Sequence, residues 1–194
     1  MRVIFCVPGR TFSGYFLKSW TKLISELQSM KIKWELVTFY HPDIYQVRQD
    51  CLRLALIYRY DYIMWIDSDM VFEPEDFTQL LSYYDKDIVS GLYFRKKVAD
   101  IYDIPDEYTG IGMDGKILKR SDYEGVTGLK QIKANGMGWM LVKKGVFESI
   151  KNPFDSSLRV SEDYAFQFKA LEHGYKSYVD TSVVLGHEKS FIMR

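Results

Sequence analysis

At 194 residues the chain is long enough to bury one substantial α/β core and too short for two independent domains. Lys plus Arg and Asp plus Glu both number 26, so the chain lacks the basic surplus of a dedicated nucleic-acid binder and shows no like-charged tail. The apolar run at residues 3–7 is much shorter than the ~20 residues of a membrane span and too short for a secretory leader, so the expectation is a cytoplasmic protein with no transmembrane segment.

Taken in order, residues 2–7 form a β-branched and aromatic run closed by Pro8-Gly9, which predicts a buried first strand ending in a loop. The following helix repeats Phe16, Leu17, Trp20, Leu23, Ile24 and Leu27 at three- and four-residue steps, as one buried face requires. A glycine-bearing loop between strand and helix can hold phosphate on backbone amides. No Gly-Lys-Ser/Thr follows, so it is not a Walker loop, and a plain turn fits equally well; Arg10 and Thr11 are placed for a nucleotide. A second strand is predicted over residues 34–40, ending at His41-Pro42-Asp43. The next helix gathers Val47, Cys51, Leu54, Ala55 and Tyr58 on one stripe and leaves Arg48, Gln49 and Arg53 off it. Solvated charge is the plain reading of those three, although Arg48 lies at the carboxyl-end side of the sheet. Cys6 and Cys51, the only cysteines, fall on apolar positions and are expected as buried free thiols.

The third strand organises the chain. Tyr62-Ile63-Met64-Trp65-Ile66 runs without a polar break and stops at Asp67-Ser68-Asp69, as a buried central strand delivers acids to its carboxyl end. In an open α/β sheet ligands bind at that end, and carboxylates so spaced can reach one divalent cation. Pro74 then opens a helix with Glu75 and Asp76 at its positive end, and Phe77, Leu80, Leu81 and Tyr84 as its buried face. A fourth strand at residues 88–94 completes a β-α-β-α-β-α-β series, which predicts a parallel, right-handed arrangement. From Arg95 to about Lys133 helical periodicity is lost, and Asp114-Gly115 between short extended runs predicts a hairpin or flap. Asn135-Gly136-Met137-Gly138-Trp139 leads into another short strand; its glycines suit close approach of a ligand or a turn at positive φ. Ser161 reads as a helix cap with Glu162 and Asp163 in the first turn, and capping alone accounts for both acids. Short apolar runs and Gly186-His187-Glu188 end the chain; a lone histidine there is read as structural or as a metal ligand.

In these elements, in this order, the chain resembles the GT-A glycosyltransferases, in particular inverting family-2-like enzymes and the small stand-alone versions encoded by large DNA viruses and phages. The resemblance covers nearly the whole chain. It implies a GT-A, Rossmann-like, mostly parallel sheet flanked by helices, as a single domain over 1–194 with a nucleotide-sugar-binding half (1–94) and an acceptor-binding half (95–194). It implies a hexosyltransferase-type enzyme that takes a nucleotide diphosphate sugar, with uridine diphosphate as the nucleotide, and passes the sugar to a glycan or protein-linked glycan; a virus-encoded enzyme of this kind works in the host cytoplasm. By the resemblance Asp69 binds Mn²⁺ (or Mg²⁺) directly, Asp67 assists the metal or binds ribose, and His187 is a further ligand. Pro8, Arg10, Thr11 and Ser68 border the nucleotide, Arg48 contacts its base or phosphate, and Asp43 contacts base or ribose. Asp163 is the general base and Glu162 its structural or acceptor-binding partner.

Other readings compete. Asp67-Ser68-Asp69 after an apolar strand also fits haloacid-dehalogenase-like phosphatases, with Asp67 as nucleophile, but two strand-helix units precede it here and Glu162-Asp163 opens a helix rather than ending a strand. A retaining GT-A enzyme needs no base. A nucleotidyltransferase shares the doubly wound core but carries a longer glycine-rich loop than Pro8 to Gly14 provides. A non-catalytic nucleotide-binding module would bind donor without turnover.

Overall fold

The computed structural model describes residues 1–95, 106–155, 157 and 159–188. Strands and helices alternate through the first half: β1 (Arg2–Cys6), α1 (Gly14–Ser29), β2 (Lys33–Val37), α2 (Ile44–Ala55), β3 (Tyr62–Ile66), the short β4 (Met70–Val71), α3 (Pro74–Ser82) and β5 (Ile88–Leu92). The second half adds a hairpin of β6 (Glu107–Gly112) and β7 (Ile117–Lys119), then α4 (Arg120–Tyr123), β8 (Leu129–Ala134), β9 (Trp139–Lys143) and α5 (Val146–Ser149). The long α6 (Glu162–Glu172), β10 (Ser177–Val184) and β11 (Gly186–His187) complete it. Nine strands make one sheet in the order β2-β1-β3-β9-β5-β10-β8-β6-β7, and β11 pairs with β4 in a separate two-stranded sheet.

The result is a Rossmann-like α/β fold with a mixed sheet. β1 runs parallel to β2 and β3, and β10 parallel to β5, while β9 is antiparallel to both β3 and β5. β3 and β5 therefore point the same way, as the alternating series predicts, but they are not neighbours. β9 separates them because Trp139, Met140, Leu141 and Val142 are all buried, the pattern of a strand covered on both faces. Its reversed direction brings its amino end, with Gly136-Met137-Gly138, to the carboxyl end of β3. The expected hairpin is β6–β7: Asp114 Oδ1 accepts from the Lys116 amide at 3.0 Å, and Gly115 takes φ +85°, which a side chain would disfavour. Residues 96–105 of the expected flap lie outside the described residues.

Strand alternation divides the core into two layers. Val3, Phe5, Met64 and Ile66 face Phe16, Leu23 and Leu27 of α1 and Phe77, Leu80 and Leu81 of α3. Ile4, Cys6, Ile63 and Trp65 face the other way, onto Val47, Cys51, Leu52 and Ala55 of α2, Phe147 of α5, and Phe166 and Ala170 of α6. Both cysteines are buried and free in this second layer, as expected. Leu17, placed by periodicity on the buried face of α1, is exposed instead, and Ser19 takes a buried position by accepting the Phe72 amide at 3.1 Å. No helix among the described residues is long and apolar enough to cross a membrane.

Candidate active site

The parity of β3 decides where its terminal carboxylate points. The Asp67 amide donates to the Gly138 carbonyl at 3.0 Å, one step past the Ile66–Trp139 pair, so the ladder continues through Asp67. Asp67 therefore shares the face of Ile63 and Trp65 and points toward α2 and α6. There it meets Arg48, whose Nη2 donates to Asp67 Oδ1 at 2.7 Å and whose Nε lies 3.5 Å from Glu162 Oε1, the latter an ion pair at the outer limit of hydrogen bonding. The Arg48 guanidinium carbon sits 5.2 Å from the centroid of the Trp65 ring, and the side chain is 2% exposed. Burial works to lower its pKa, but the charges of Asp67 and Glu162 outweigh burial and hold it above the ordinary range. The residue expected to reach a base or phosphate is thus enclosed, with Nη2 and Nε turned to two carboxylates and Nη1 buried without a hydrogen-bond partner among the described residues.

Those carboxylates belong to opposite sides of the site. Glu162 and Asp163 open α6 as expected, but Ser161 does not cap it through its side chain. The Ser161 hydroxyl instead donates to Asp163 Oδ1, which also accepts the Tyr164 amide at 2.8 Å. Burial raises the Asp163 carboxyl above its usual range, against the Ser161 hydrogen bond and the Arg48 charge, which both lower it. Glu162 is raised as well, by burial first and then by Asp163, with Arg48 opposing. The start of α6 is held from below by Gln167, whose Nε2 donates to the Asn135 and Asp163 carbonyls at 2.6 and 2.9 Å. Asn135 spends every polar atom on the scaffold: its Nδ2 donates to Ser90 Oγ and the Gly91 carbonyl, and its Oδ1 accepts from Thr109 Oγ1 and the Gly136 amide.

Asp69 meets His187 from 118 residues away because β11 pairs with β4, setting His187 opposite Met70. His187 Nε2 lies 3.0 Å from Asp69 Oδ2, and Nδ1 lies 2.9 Å from the Phe94 carbonyl oxygen. A carbonyl only accepts, so Nδ1 carries the ring proton; Nε2 of a neutral ring then turns a lone pair toward a carboxylate oxygen. A cation that both groups ligate would fit that contact. A carboxylate oxygen beside an imidazole nitrogen is a donor set that suits Mn²⁺, so these residues fit the metal the resemblance implies. Among the described residues no group of three such ligands converges.

Beside the acids opens a cleft of about 250 Å³ between Pro8-Gly9, Phe39-Tyr40-His41 and Asp67-Ser68-Asp69. β2 ends at Val37, three residues short of the predicted limit, and the freed segment supplies the aromatic wall. Gly9 is needed at the rim, since a Cβ there would fall 2.6 Å from that of Ser68. Of the other expected nucleotide contacts, Arg10 and Thr11 are exposed, and the Arg10 guanidinium lies 5.5 Å from the centroid of the Tyr40 ring. Asp43 is the N-cap of α2, accepting the Tyr45 amide at 2.9 Å, while its own amide donates to His41 Nδ1 at 3.0 Å. Neutral His41 accordingly keeps its proton on Nε2 as a donor.

Sequence reasoning missed Tyr93 and the aromatic wall. Tyr93, read only as part of the fourth strand, is buried behind Asp67, accepts the Gly138 amide at 2.8 Å, and stacks edge-on against His187 at 5.3 Å. The consecutive Phe39-Tyr40-His41 before a proline was the signal for the wall, since large rings at a strand's carboxyl end need not stay in the sheet.

No family profile matches the sequence, and no curated protein matches it. Among solved structures, the crystal structure of A197 from STIV superimposes with a TM-score of 0.65 over 98% of this chain and 87% of that one, at 21% identity. The inositol-1-phosphate CTP transferase from T. maritima is matched over 93% of this chain and 84% of that one, at 15% identity and a TM-score of 0.49. At this identity the likeness to A197 establishes the fold.

Proposed function

We propose that the chain is a divalent-metal-dependent glycosyltransferase of the GT-A kind, moving a sugar from a nucleotide diphosphate sugar, with UDP as the nucleotide, to an acceptor hydroxyl with inversion. The observation that carries this reading is the meeting of Asp69 and His187 on the lip of an aromatic cleft, with a second acidic pair across Arg48. Asp69 and His187 would hold the Mn²⁺, with Asp67 beside them; bound there, the metal neutralises charge developing on the leaving diphosphate. The cleft is smaller than the ~300–1,000 Å³ of sites enclosing a whole drug-sized ligand, so it suits one ring system, the base, stacked on Tyr40 or Phe39. His41 Nε2 offers that ring a donor.

Asp163 serves as general base. The acceptor hydroxyl gives its proton to the carboxylate as its oxygen bonds to the anomeric carbon, the bond from that carbon to the phosphate oxygen breaks, and the nucleotide diphosphate departs. The acceptor class expected is a glycan or protein-linked glycan. Calorimetric titration of UDP and UDP-sugars, with Mn²⁺ present or chelated, tests the reading on the wild type and on Asp69→Ala. Binding that disappears on chelation and in the variant is expected. Absence of metal-dependent nucleotide binding refutes it, and phosphoester hydrolysis abolished by Asp67→Asn would establish the phosphatase in its place.

A further inference from the structure

We propose that Arg48 is a positioning residue: it fixes the donor-side carboxylate of Asp67 and the acceptor-side carboxylate of Glu162 relative to one another and does not itself touch the donor. The proposal rests on the transferase reading above and assigns Arg48 a different task from the nucleotide contact the resemblance implies. Ile44 and Val47, its neighbours on α2, line the cleft, and Arg48 does not. Its side chain turns inward, over Trp65, and its guanidinium spans from the end of β3 to the first residue of α6.

A second contact from the same helix supports this. Tyr45, one turn before Arg48, donates its hydroxyl to the Val160 carbonyl, just ahead of α6. α2 thus grips the start of α6 at two successive points, Val160 and Glu162, where the Ser161 side chain provides no cap. The helix that walls the nucleotide cleft is in this way tied to the segment that carries Asp163. Arginine suits the task because its planar fork reaches two acceptors in fixed geometry and it keeps its charge when enclosed. Lysine would carry the charge without the geometry. Removal of the cation leaves the buried Glu162 carboxylate, and the partly exposed Asp67, uncompensated, a loss of stability separate from any effect on turnover.

The full chain with Arg48→Lys, Arg48→Met and Arg48→Met/Glu162→Gln separates these effects. With UDP-sugar and Mn²⁺, Arg48→Met should weaken donor binding about tenfold, as loss of a residue that orients a ligand-binding carboxylate does. It should also lower kcat at saturating donor about a hundredfold, the scale of a misplaced reacting group. Arg48→Lys should recover part of each. The double variant should regain thermal stability, since one uncompensated carboxylate is gone, but neither donor affinity nor kcat. A variant with weakened binding and unchanged kcat would show a direct nucleotide contact and overturn the proposal, as would a double variant with restored kcat, which would show charge balance alone. If the wild type binds no uridine nucleotide with Mn²⁺, the transferase reading falls, and Arg48 is judged on stability. Non-additive unfolding midpoints in its cycles with Asp67→Asn and Glu162→Gln uphold the link; additive ones sink it.

Discussion

Gly136→Ala probes the support behind Asp67 without touching any group that meets substrate. A Cβ at Gly136 would fall 2.1 Å from the Tyr93 hydroxyl oxygen, 2.8 Å from Tyr93 Cζ and 3.0 Å from Thr109 Cβ. Tyr93 has little room to yield: it is buried, accepts the Gly138 amide, and lies edge-on to His187. Overpacking of this kind costs ~1–3 kcal/mol, and displacing Tyr93 leaves the buried Gly138 donor unsatisfied for ~1–3 kcal/mol more. At ~2–4 °C per kcal/mol for a domain of this size, a total of about 2–6 kcal/mol lowers the melting temperature by roughly 4–24 °C. Thermal unfolding followed by circular dichroism measures it. Tyr93→Phe removes the nearest clashing atom, so the double variant should lose less than the sum of the single losses. A melting temperature for Gly136→Ala equal to that of the wild type, or strict additivity in the double variant, would refute the packing argument.

Asp163→Asn should lower kcat by about 10²–10⁴-fold, the range of a lost general base, with donor affinity by calorimetry retained; unchanged turnover would remove Asp163 from the chemistry. Because burial raises the Asp163 pKa in the folded chain, the acidic limb of the kcat profile should lie above the ordinary carboxylate range. The folded state also binds that proton more tightly than the unfolded one, so stability falls as pH rises through the interval between the two pKa values; Asp163→Asn should therefore melt higher than wild type at neutral pH. His187→Ala should abolish the Mn²⁺ dependence of nucleotide binding while leaving the fold intact, and persistence of that dependence in titrations would exclude the imidazole as a ligand. Asp180, enclosed on β10, accepts from Gln79, Tyr83 and both the amide and hydroxyl of Ser182; Asp180→Ala should cost about 2–4 kcal/mol in urea unfolding. Burial pushes its carboxyl up, but those bonds hold it below the usual range, so its contribution should vanish as pH falls through that lowered pKa.

What the sequence made legible was local. The unbroken apolar run Tyr62 to Ile66 announced a central strand because a strand covered on both faces has no position for a polar residue. Ser13 and Asp43 each accept an amide hydrogen bond at a helix start, a role the sequence reading assigned to neither. Arg48 was misjudged by the same kind of reasoning. Helical periodicity marks a charge off the apolar stripe as solvated, yet such a position is buried once another element covers it, and the acids that neutralise Arg48 sit on β3 and α6. Ser161 holds the N-cap position as read, but its side chain does not cap, because a serine ahead of a helix can donate as readily as it accepts, and the neighbouring Asp163 carboxylate is the stronger acceptor. The aromatic wall escaped notice because residues 38–40 are as strand-forming by composition as those that pair.

The position of β9 was the feature least open to sequence reasoning, and the arrangement of the acids depends on it. Five-residue apolar strands carry no mark of direction or neighbour, so Trp139 to Lys143 could pair with any exposed edge; burial on both faces is satisfied equally by parallel and antiparallel insertion. Insertion against the direction of β3 places Gly138 beside Asp67, and only glycine fits, since a Cβ at Gly138 would lie 2.8 Å from the Tyr93 hydroxyl oxygen and 3.1 Å from Asp67 Oδ2. A slip of one residue between β3 and β9 would turn Asp67 to the face of α1 and α3, away from Arg48 and Glu162. The ladder bond from the Asp67 amide to the Gly138 carbonyl therefore selects the face on which the carboxylate emerges. The same register sets Trp139 opposite Ile66, where its ring packs on Phe72 at 4.5 Å just beyond β4, the strand that receives His187. One strand register thus determines both the direction of Asp67 and the packing under the Asp69–His187 pair.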